Sequence, residues 1–441
     1  VTGRILTGDA LEMLRRLADA SVHCVVTSPP YFGLRDYQTG TWDGGDPECD
    51  HAPAQDWVAD GGDMRRSHPA IAGNQAKAER RRGARCACGA VKVDQQVGLE
   101  SSPDAYIVRL VELCREVRRV LRDDGTFWLN LGDTYCNDQK GPKGADKSTL
   151  TGGGDYQMIA APRSLGQMRY REWGNKRKDL LMIPAQVALA LRDDGWYLRQ
   201  DIIWAKDNPM PESVRDRCTR SHEHLFLLTK RERYYFDAEA IKEPAVTESR
   251  GKRNSFARKS AIGLDEVHYG KGTMRNKRDV WRVNTRPFAE AHFATFPPAL
   301  IVDCIRAGTS AAGVCADCGA PWQRVITRTS MVIDRSERTH DLGRTRTSGT
   351  MVEPPTTTTT TTTGWKPGCG CAAGIVPATV LDPFFGSGTT GLVAEVEGRD
   401  WIGIDLNADY VVIARRRIAK ARLARFAAAG VGALAWLACA Q

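Results

Sequence analysis

The sequence predicts an α/β fold organised as a doubly wound sheet, and three observations predict it. First, V-L-D-P-F-F-G-S-G-T-T-G (Val380 to Gly391) joins a short apolar strand to a helix over Thr389 to Glu397, with Gly386, Gly388 and Gly391 at G-x-G-x-x-G spacing. Glycines there let the chain turn tightly, bring bare backbone up to a ligand and pack helix on strand. Second, Asp405 closes the next apolar run, W-I-G-I-D, roughly 20 residues after the first glycine, where a carboxylate accepts bonds from ribose hydroxyls. Third, the upstream chain alternates apolar strands with segments of helical period. A glycine triad alone is equally a tight turn; strand, helix and acid together favour a nucleoside-containing cofactor. After Gly391 there is room for one more strand and one long helix, Asn407 to about Phe426, so the other strands must come from upstream. The loop is late in the chain and central in the fold.

Composition sets bounds. With 441 residues, 42% of them hydrophobic, the chain can bury a sizeable core. A net charge of +9 suits a polyanionic partner, although many enzymes that bind no nucleic acid share it. No apolar run reaches membrane-spanning length, and the N-terminus lacks the basic and apolar regions of a signal peptide. Thirteen cysteines without an export signal point to free thiols or metal rather than a disulfide framework. The expectation is a soluble, cytoplasmic protein.

In order along the chain, Arg4 to Thr7 is a strand ending at Gly8-Asp9, and A-L-E-M-L-R-R-L after it is helical. Ser21 to Thr27 is a second strand, stopped by Ser28-Pro29-Pro30-Tyr31 because proline lacks an amide donor. Residues just past a strand's carboxyl end are where open α/β sheets bind ligands; the plainer reading is a stiffened turn. Phe32 to Glu100 is irregular. Ser102 caps and Pro103 begins a helix whose stripe is Ile107, Leu110, Val111, Cys114, Val117 and Leu121. Gly125 to Asp133 is a strand, and Asn137 to Lys178 is a long loop that reads as a mobile functional segment or as disorder. A helix (Leu180 to Arg192), a strand (Trp196 to Trp204) and a strand pair around H-L-F-L-L-T and Y-Y-F-D (His224 to Asp237) follow. Lys242 to Arg278 is basic, and Phe296 to Ile305 starts a helix. Met331 to Gly364, with its eight-threonine run, reads as a disordered surface insertion.

These boundaries divide the chain into a catalytic part over 1–31, 101–241 (with the loop 137–178), 281–312 and 375–428. Interrupting it are an insertion at 32–100, a basic segment at 242–280 and a second insertion at 313–374, with a tail at 429–441. Cys315-x-x-Cys318 and Cys369-x-Cys371 give four thiols in two close pairs, enough for a tetrahedral structural zinc in a ribbon-like insertion. Cys49, His51, Cys86 and Cys88 resemble a second such site with looser spacing. Reduced free thiols are the alternative for both.

T-S-P-P-Y early and D-P-F-F-G-S-G-T-T-G late, in that order, resemble the amino-group DNA methyltransferases of the permuted β type, which use S-adenosylmethionine. G-D-A-L-E-M-L, R-V-L-R-D-D-G-T-F-W-L-N-L-G-D, G-W-Y-L-R-Q-D-I-I-W-A-K, R-S-H-E-H-L-F-L-L-T-K and G-R-D-W-I-G-I-D extend the likeness over most of the chain. The resemblance implies a circularly permuted, Rossmann-like mixed sheet. Ser28, Pro29, Pro30 and Tyr31 match the catalytic tetrapeptide. Asp382, Pro383, Phe384, Gly386, Ser387, Gly388 and Thr389 match the loop around the cofactor's methionine moiety. Asp405 matches the ribose-binding acid, and Asp9 the acid near the adenine. The implied reaction is methyl transfer to an exocyclic amine of a base flipped from double-stranded DNA, with Tyr31 stacking on that base. Serine in the first tetrapeptide position is commoner in cytosine-N4 enzymes; adenine N6 is the alternative. Target recognition falls to Phe32 to Glu100, Asn137 to Lys178 or Lys242 to Arg278, and a cognate restriction endonuclease is a candidate partner. A nicotinamide-dependent oxidoreductase would explain the glycine loop but not Ser28 to Tyr31. A non-catalytic zinc-bearing DNA-binding protein would explain charge and cysteines but not the loop.

Overall fold

The computed structural model describes residues 1–33, 37, 39–51, 85–136, 174–176, 178–246, 269–285, 296–332 and 356–428. Eight strands form the main sheet: β1 (Gly3–Thr7), β2 (Val22–Thr27), β3 (Leu121–Leu131), β4 (Tyr197–Ala205), β5 (His222–Thr229), β6 (Val280–Arg282), β7 (Thr379–Asp382) and β8 (Asp400–Asp405). Their spatial order is β1-β8-β7-β2-β3-β5-β4-β6. All neighbours are parallel except β5, which runs antiparallel to both β3 and β4. Counted from β7, the sheet begins 3-2-1-4-5, the doubly wound order, with the antiparallel β5 set between the last two long strands.

Among the described residues six α-helices cover the two faces. α1 (Ala10–Arg15), α2 (Pro103–Val120) and α3 (Ile183–Asp193) share one core with Val25, Phe127, Leu129 and Phe226. α4 (Pro298–Gly308), α5 (Thr389–Val396) and α6 (Ala408–Ala428) share the other with Cys24, Val26, Trp128 and Leu227. Successive strand residues thus feed opposite cores, which is why the central strands read as continuous apolar runs. Ser102 Oγ accepts from Ala105 N at 3.1 Å and Pro103 opens α2, as the capping pattern predicts. Among the described residues no helix is long and apolar enough to cross a membrane.

Two expectations are corrected, and one strand is new. Thr356–Lys366 is not disordered: it pairs antiparallel with Gln323–Val332 in a two-stranded ribbon. Threonine is β-branched and suits a strand, and Thr360 Oγ1 is held between Lys242 Nζ (2.8 Å) and Glu239 Oε2 (2.7 Å). Residues 333–355 of that stretch lie outside the described residues. Y-Y-F-D is not a strand, because both edges of β5 are already paired. Instead Asp237 caps the short 3-10 turn Ala238–Ile241 and takes Arg324 Nε and Nη2. β6 was not anticipated; it covers the edge of β4 and buries Trp281. Most of the loop 137–178, residues 247–268 of the basic segment, residues 52–84 and the tail 429–441 also lie outside the described residues.

Candidate active site

β7 and β2 lie side by side and parallel, so Asp382 and Ser28 leave the sheet together although 354 residues separate them in sequence. Strand order reverses between these two strands, and such a switch point opens a crevice at the carboxyl ends. Thr27 Oγ1, the last side chain of β2, donates to Asp382 Oδ1 at 2.6 Å. Phe384 N donates to the same oxygen at 3.0 Å and Thr390 Oγ1 to Oδ2 at 2.7 Å. Asp382 is 1% exposed, and burial pushes its carboxyl up to about 6. Its place is therefore beneath the loop, joining β2, β7 and α5.

Each glycine of the loop has its own reason. Gly386 sits at φ +50°, a Cβ there would meet nothing within 4 Å, and its N–H donates to Asp405 Oδ2 at 2.6 Å. At Gly388 (φ +78°) a Cβ would come within 2.9 Å of Ala414 Cβ on α6; at Gly391 it would press on the Phe385 ring at 2.6 Å. Phe385 in turn stacks on Trp401, ring centres 5.3 Å apart. Asp405 Oδ1 accepts from Asn407 N at 2.8 Å, and burial pushes this carboxyl too up to about 6. Pro383, Ser387 and Thr389 are buried, and Arg417 Nη1 donates to Ser387 Oγ and Thr389 Oγ1 at 2.9 Å each. Phe384 remains partly exposed. Asp9 caps α1 through Glu12 N (3.1 Å) and faces Arg109 at 3.5 Å.

The Ser28–Tyr31 turn is clamped from several sides. Tyr106 Oη donates to the Pro30 carbonyl at 2.9 Å, and Gly98 (φ +95°) packs its backbone against the Pro30 and Tyr31 carbonyls. The Tyr31 ring lies where a Cβ on Gly132 would be, 2.5 Å away. Its hydroxyl donates towards Glu223 Oε2 at 2.6 Å, with Asn130 Oδ1 at 3.0 Å, and accepts from Ser28 Oγ at 3.3 Å. Burial, reinforced by the Glu223 charge, holds the phenol well above its ordinary pKa. Asn130, Glu223 and Lys206 were missed by sequence reasoning. A usable signal was present for Asn130, a polar residue set in the otherwise apolar run F-W-L-N-L; Glu223, between His222 and His224, carries none.

Both cysteine groups converge. The ligand atoms of Cys49, His51, Cys86 and Cys88 all lie within 4.8 Å of one another, as do those of Cys315, Cys318, Cys369 and Cys371. Gly89 (φ +92°) and Gly319 (φ +70°) supply the turns after Cys88 and Cys318. The first group stands on the ribbon of Thr41–Asp43 with Val91–Val93, in the segment that returns through Gly98 to the Ser28–Tyr31 turn. The second docks on the opposite end of the sheet. His23 Nδ1 accepts from Thr379 N at 3.0 Å while Nε2 donates to the Gly319 carbonyl at 3.1 Å, and Arg122 Nη1 donates to the Cys318 carbonyl at 2.9 Å.

An α/β sheet with a glycine loop and a proline-rich turn meeting at its switch point defines a class, and sequence comparison gives the family. The family model described as DNA methylase, covering N6 and N4 methyltransferases, matches residues 22–319 and 377–416; the interval it omits contains the threonine ribbon, Cys369 and Cys371. The chain belongs to this family of amino-group DNA methyltransferases, so its substrate is DNA. Type II methyltransferase M.Cfr9I of Citrobacter freundii is 35% identical over 414 residues, 94% of this chain and 87% of that protein. Type II methyltransferase M.SmaI of Serratia marcescens is 33% identical over 423 residues, 95% and 91% of the two chains. Among solved structures, PvuII DNA methyltransferase (cytosine-N4-specific) aligns with a TM-score of 0.45 at 15% identity, over 94% of this chain and 86% of that one. Family membership sets aside the oxidoreductase and the non-catalytic DNA-binding protein.

Proposed function

We propose that the protein transfers a methyl group from S-adenosylmethionine to the exocyclic N4 amine of cytosine in double-stranded DNA. The observation that carries this reading is the juxtaposition of the Ser28 turn with the Asp382 loop, tied by the Thr27–Asp382 hydrogen bond. Serine rather than aspartate at position 28 favours cytosine over adenine. The crevice suits the cofactor. Gly386 presents bare backbone beside open space, the Asp405 carboxylate can accept ribose hydroxyls, and Phe384 offers a partly exposed apolar ring. When bound, S-adenosylmethionine supplies an electrophilic methyl group.

The protein's own residues then align the amine. Ser28 Oγ and the Pro29 carbonyl accept its two hydrogens, drawing nitrogen towards tetrahedral geometry and freeing a lone pair otherwise delocalised into the base ring. The same acceptors stabilise positive charge as it develops on nitrogen. No strong base is needed, because the methylated ammonium is acidic. Tyr31 packs against the extruded base, which cannot otherwise leave the duplex stack to react. The order of strands, with β7 and β8 last in the chain and β1 to β3 before them, supports a permuted arrangement. Asp9, close to α1 and beyond β1, is proposed for the adenine side, and both cysteine groups for closed structural zinc sites. The insertions 32–100 and 313–374 and the basic segment 242–280 are proposed as units separate from the catalytic sheet, with DNA recognition drawn from them and from 137–178. The enzyme is expected to act in the cytoplasm beside a cognate restriction endonuclease. DNA methylated by the purified protein, digested to nucleosides, is expected to yield N4-methylcytosine; N6-methyladenine alone would overturn the choice of base.

A further inference from the structure

The hydroxyl assigned above as an acceptor also carries a hydrogen, and that hydrogen must be kept away from the amine. Ser28 Oγ donates it to the Tyr31 phenolic oxygen at 3.3 Å. Tyr31 has a single hydrogen of its own, faced by Glu223 Oε2 at 2.6 Å and Asn130 Oδ1 at 3.0 Å. A carboxylate and an amide oxygen only accept, so each link in this chain has one direction. The Asn130 amide nitrogen points elsewhere, to the His224 carbonyl at 3.0 Å and to Glu223 Oε2 at 3.3 Å. Glu223 Oε1 is bonded by Lys206, whose ammonium sits 4.1 Å from the centre of the Trp204 ring. Lys206 and Glu223 are both largely shielded, with side chains 16% and 17% exposed. The antiparallel course of β5 makes this possible, since it brings that strand's first residues to the carboxyl-end crevice.

We infer that Glu223 is a positioning residue that sets the polarity of the Ser28 hydroxyl. By taking the Tyr31 hydrogen, its carboxylate leaves the phenolic oxygen free to accept from Ser28, and Ser28 then turns lone pairs rather than its hydrogen towards the target amine. Without that commitment the serine hydrogen competes for the same nitrogen lone pair that must attack. Lys206 keeps Glu223 in place and shares its charge. Tyr31 on this account acts through its hydroxyl as well as its ring. The inference rests on the assignment of Ser28 as amine acceptor.

The test compares wild type, Glu223→Gln, Tyr31→Phe and the double variant in methyl transfer to duplex DNA, with Ser28→Ala alongside. Glu223→Gln keeps shape but can donate to Tyr31; Tyr31→Phe keeps the ring and leaves the Lys206 pair intact. Each single variant is expected to lose kcat on the order of 10- to 100-fold, a part of what removing a direct transition-state partner costs, with KM for both substrates within about twofold. The double variant should be no worse than the poorer single one, because both break the same chain. Full kcat in either single variant, or multiplied losses in the double, would overturn the inference. Active Ser28→Ala would overturn it together with the functional reading, whereas inactive Ser28→Ala beside active Glu223→Gln and Tyr31→Phe would overturn the inference alone.

Discussion

The two ends of the main sheet are built for different purposes. At the carboxyl end, Asp382, Asp405 and Glu223 are held by backbone N–H groups, hydroxyls and Lys206, and glycines keep the backbone uncovered. At the amino end, His23 and Arg122 fasten the Cys315 group to β2, β3 and β7. Ion pairs occur at both ends, Arg122–Asp124 and Arg231–Asp123 among them at the amino end. What sets the carboxyl end apart is buried acids beside uncovered glycine backbone, whereas a neutral imidazole braces the cysteine loop at the other. Burial, aided by the Arg122 charge, pushes His23 down to about 4, while burial pushes Asp382 up to about 6. The contrast is between an end where glycine backbone stays uncovered and an end closed by side chains that fasten an insertion.

The largest effect should come from the carboxyl end. Ser28→Ala is expected to lower kcat on the order of 10²- to 10³-fold, with thermal unfolding unchanged, because it removes one acceptor and no packing. A substantial fall in Tm would mean that this turn is structural and would erase the contrast. The cysteine groups come next. Elemental analysis should find two zinc ions per chain, reduced to one by Cys315→Ser and to one by Cys86→Ser. Cys315→Ser should lower Tm by roughly 5–10 °C while sparing activity at low temperature. Cys86→Ser should instead weaken DNA binding, because its group stands in the insertion beside the Ser28 turn. Zinc-free active protein would remove both assignments.

The smallest effect is a pair of opposed pH dependences. Asp382 binds its proton more tightly folded than unfolded, so its contribution to stability is full below about 4 and is lost as pH rises through about 6. His23 binds its proton less tightly when folded, so its contribution is present above about 6.5 and is lost as pH falls through about 4. Each is worth at most roughly 3 kcal/mol across its window. Asp382→Asn should therefore gain stability relative to wild type as pH rises from 4 to 6, and His23→Gln should gain as pH falls over the same range. Thermal unfolding against pH checks both signs.

The cofactor half of this architecture was legible because its glycines, proline stops and terminal acid are local features with backbone consequences. Gly386 and Gly388 take the positive φ that a tight turn requires, and Gly391 makes the packing contact on Phe385. Convergence of the cysteine groups was legible for a similar reason, since short spacings restrict where thiols can go. Long-range partners were not. Nothing near Tyr31 in sequence announces Glu223, 192 residues away, which reaches it only because β5 is inserted antiparallel. The threonine run misled because low complexity signals disorder by composition, while β-branched residues opposite Gln323–Val332 find a strand partner. The resemblance implies that Asp382 and Asp405 contact the cofactor. In the structure both hold the loop through its own N–H and hydroxyl groups, and Asp382, 1% exposed, does so from beneath it, as a support rather than a surface group.

The central claim is that two strand ends supply separate halves of one site, the β7–β8 end gripping the cofactor and the β2 end the amine. Calorimetric titration of S-adenosylmethionine into wild type, Asp405→Ala and Ser28→Ala tests it most directly. Asp405→Ala is expected to weaken binding roughly 10- to 100-fold, the cost of losing charged hydrogen bonds, and Ser28→Ala to leave Kd unchanged while kcat falls on the order of 10²- to 10³-fold. Unchanged affinity in Asp405→Ala, or lost affinity in Ser28→Ala, would contradict the division.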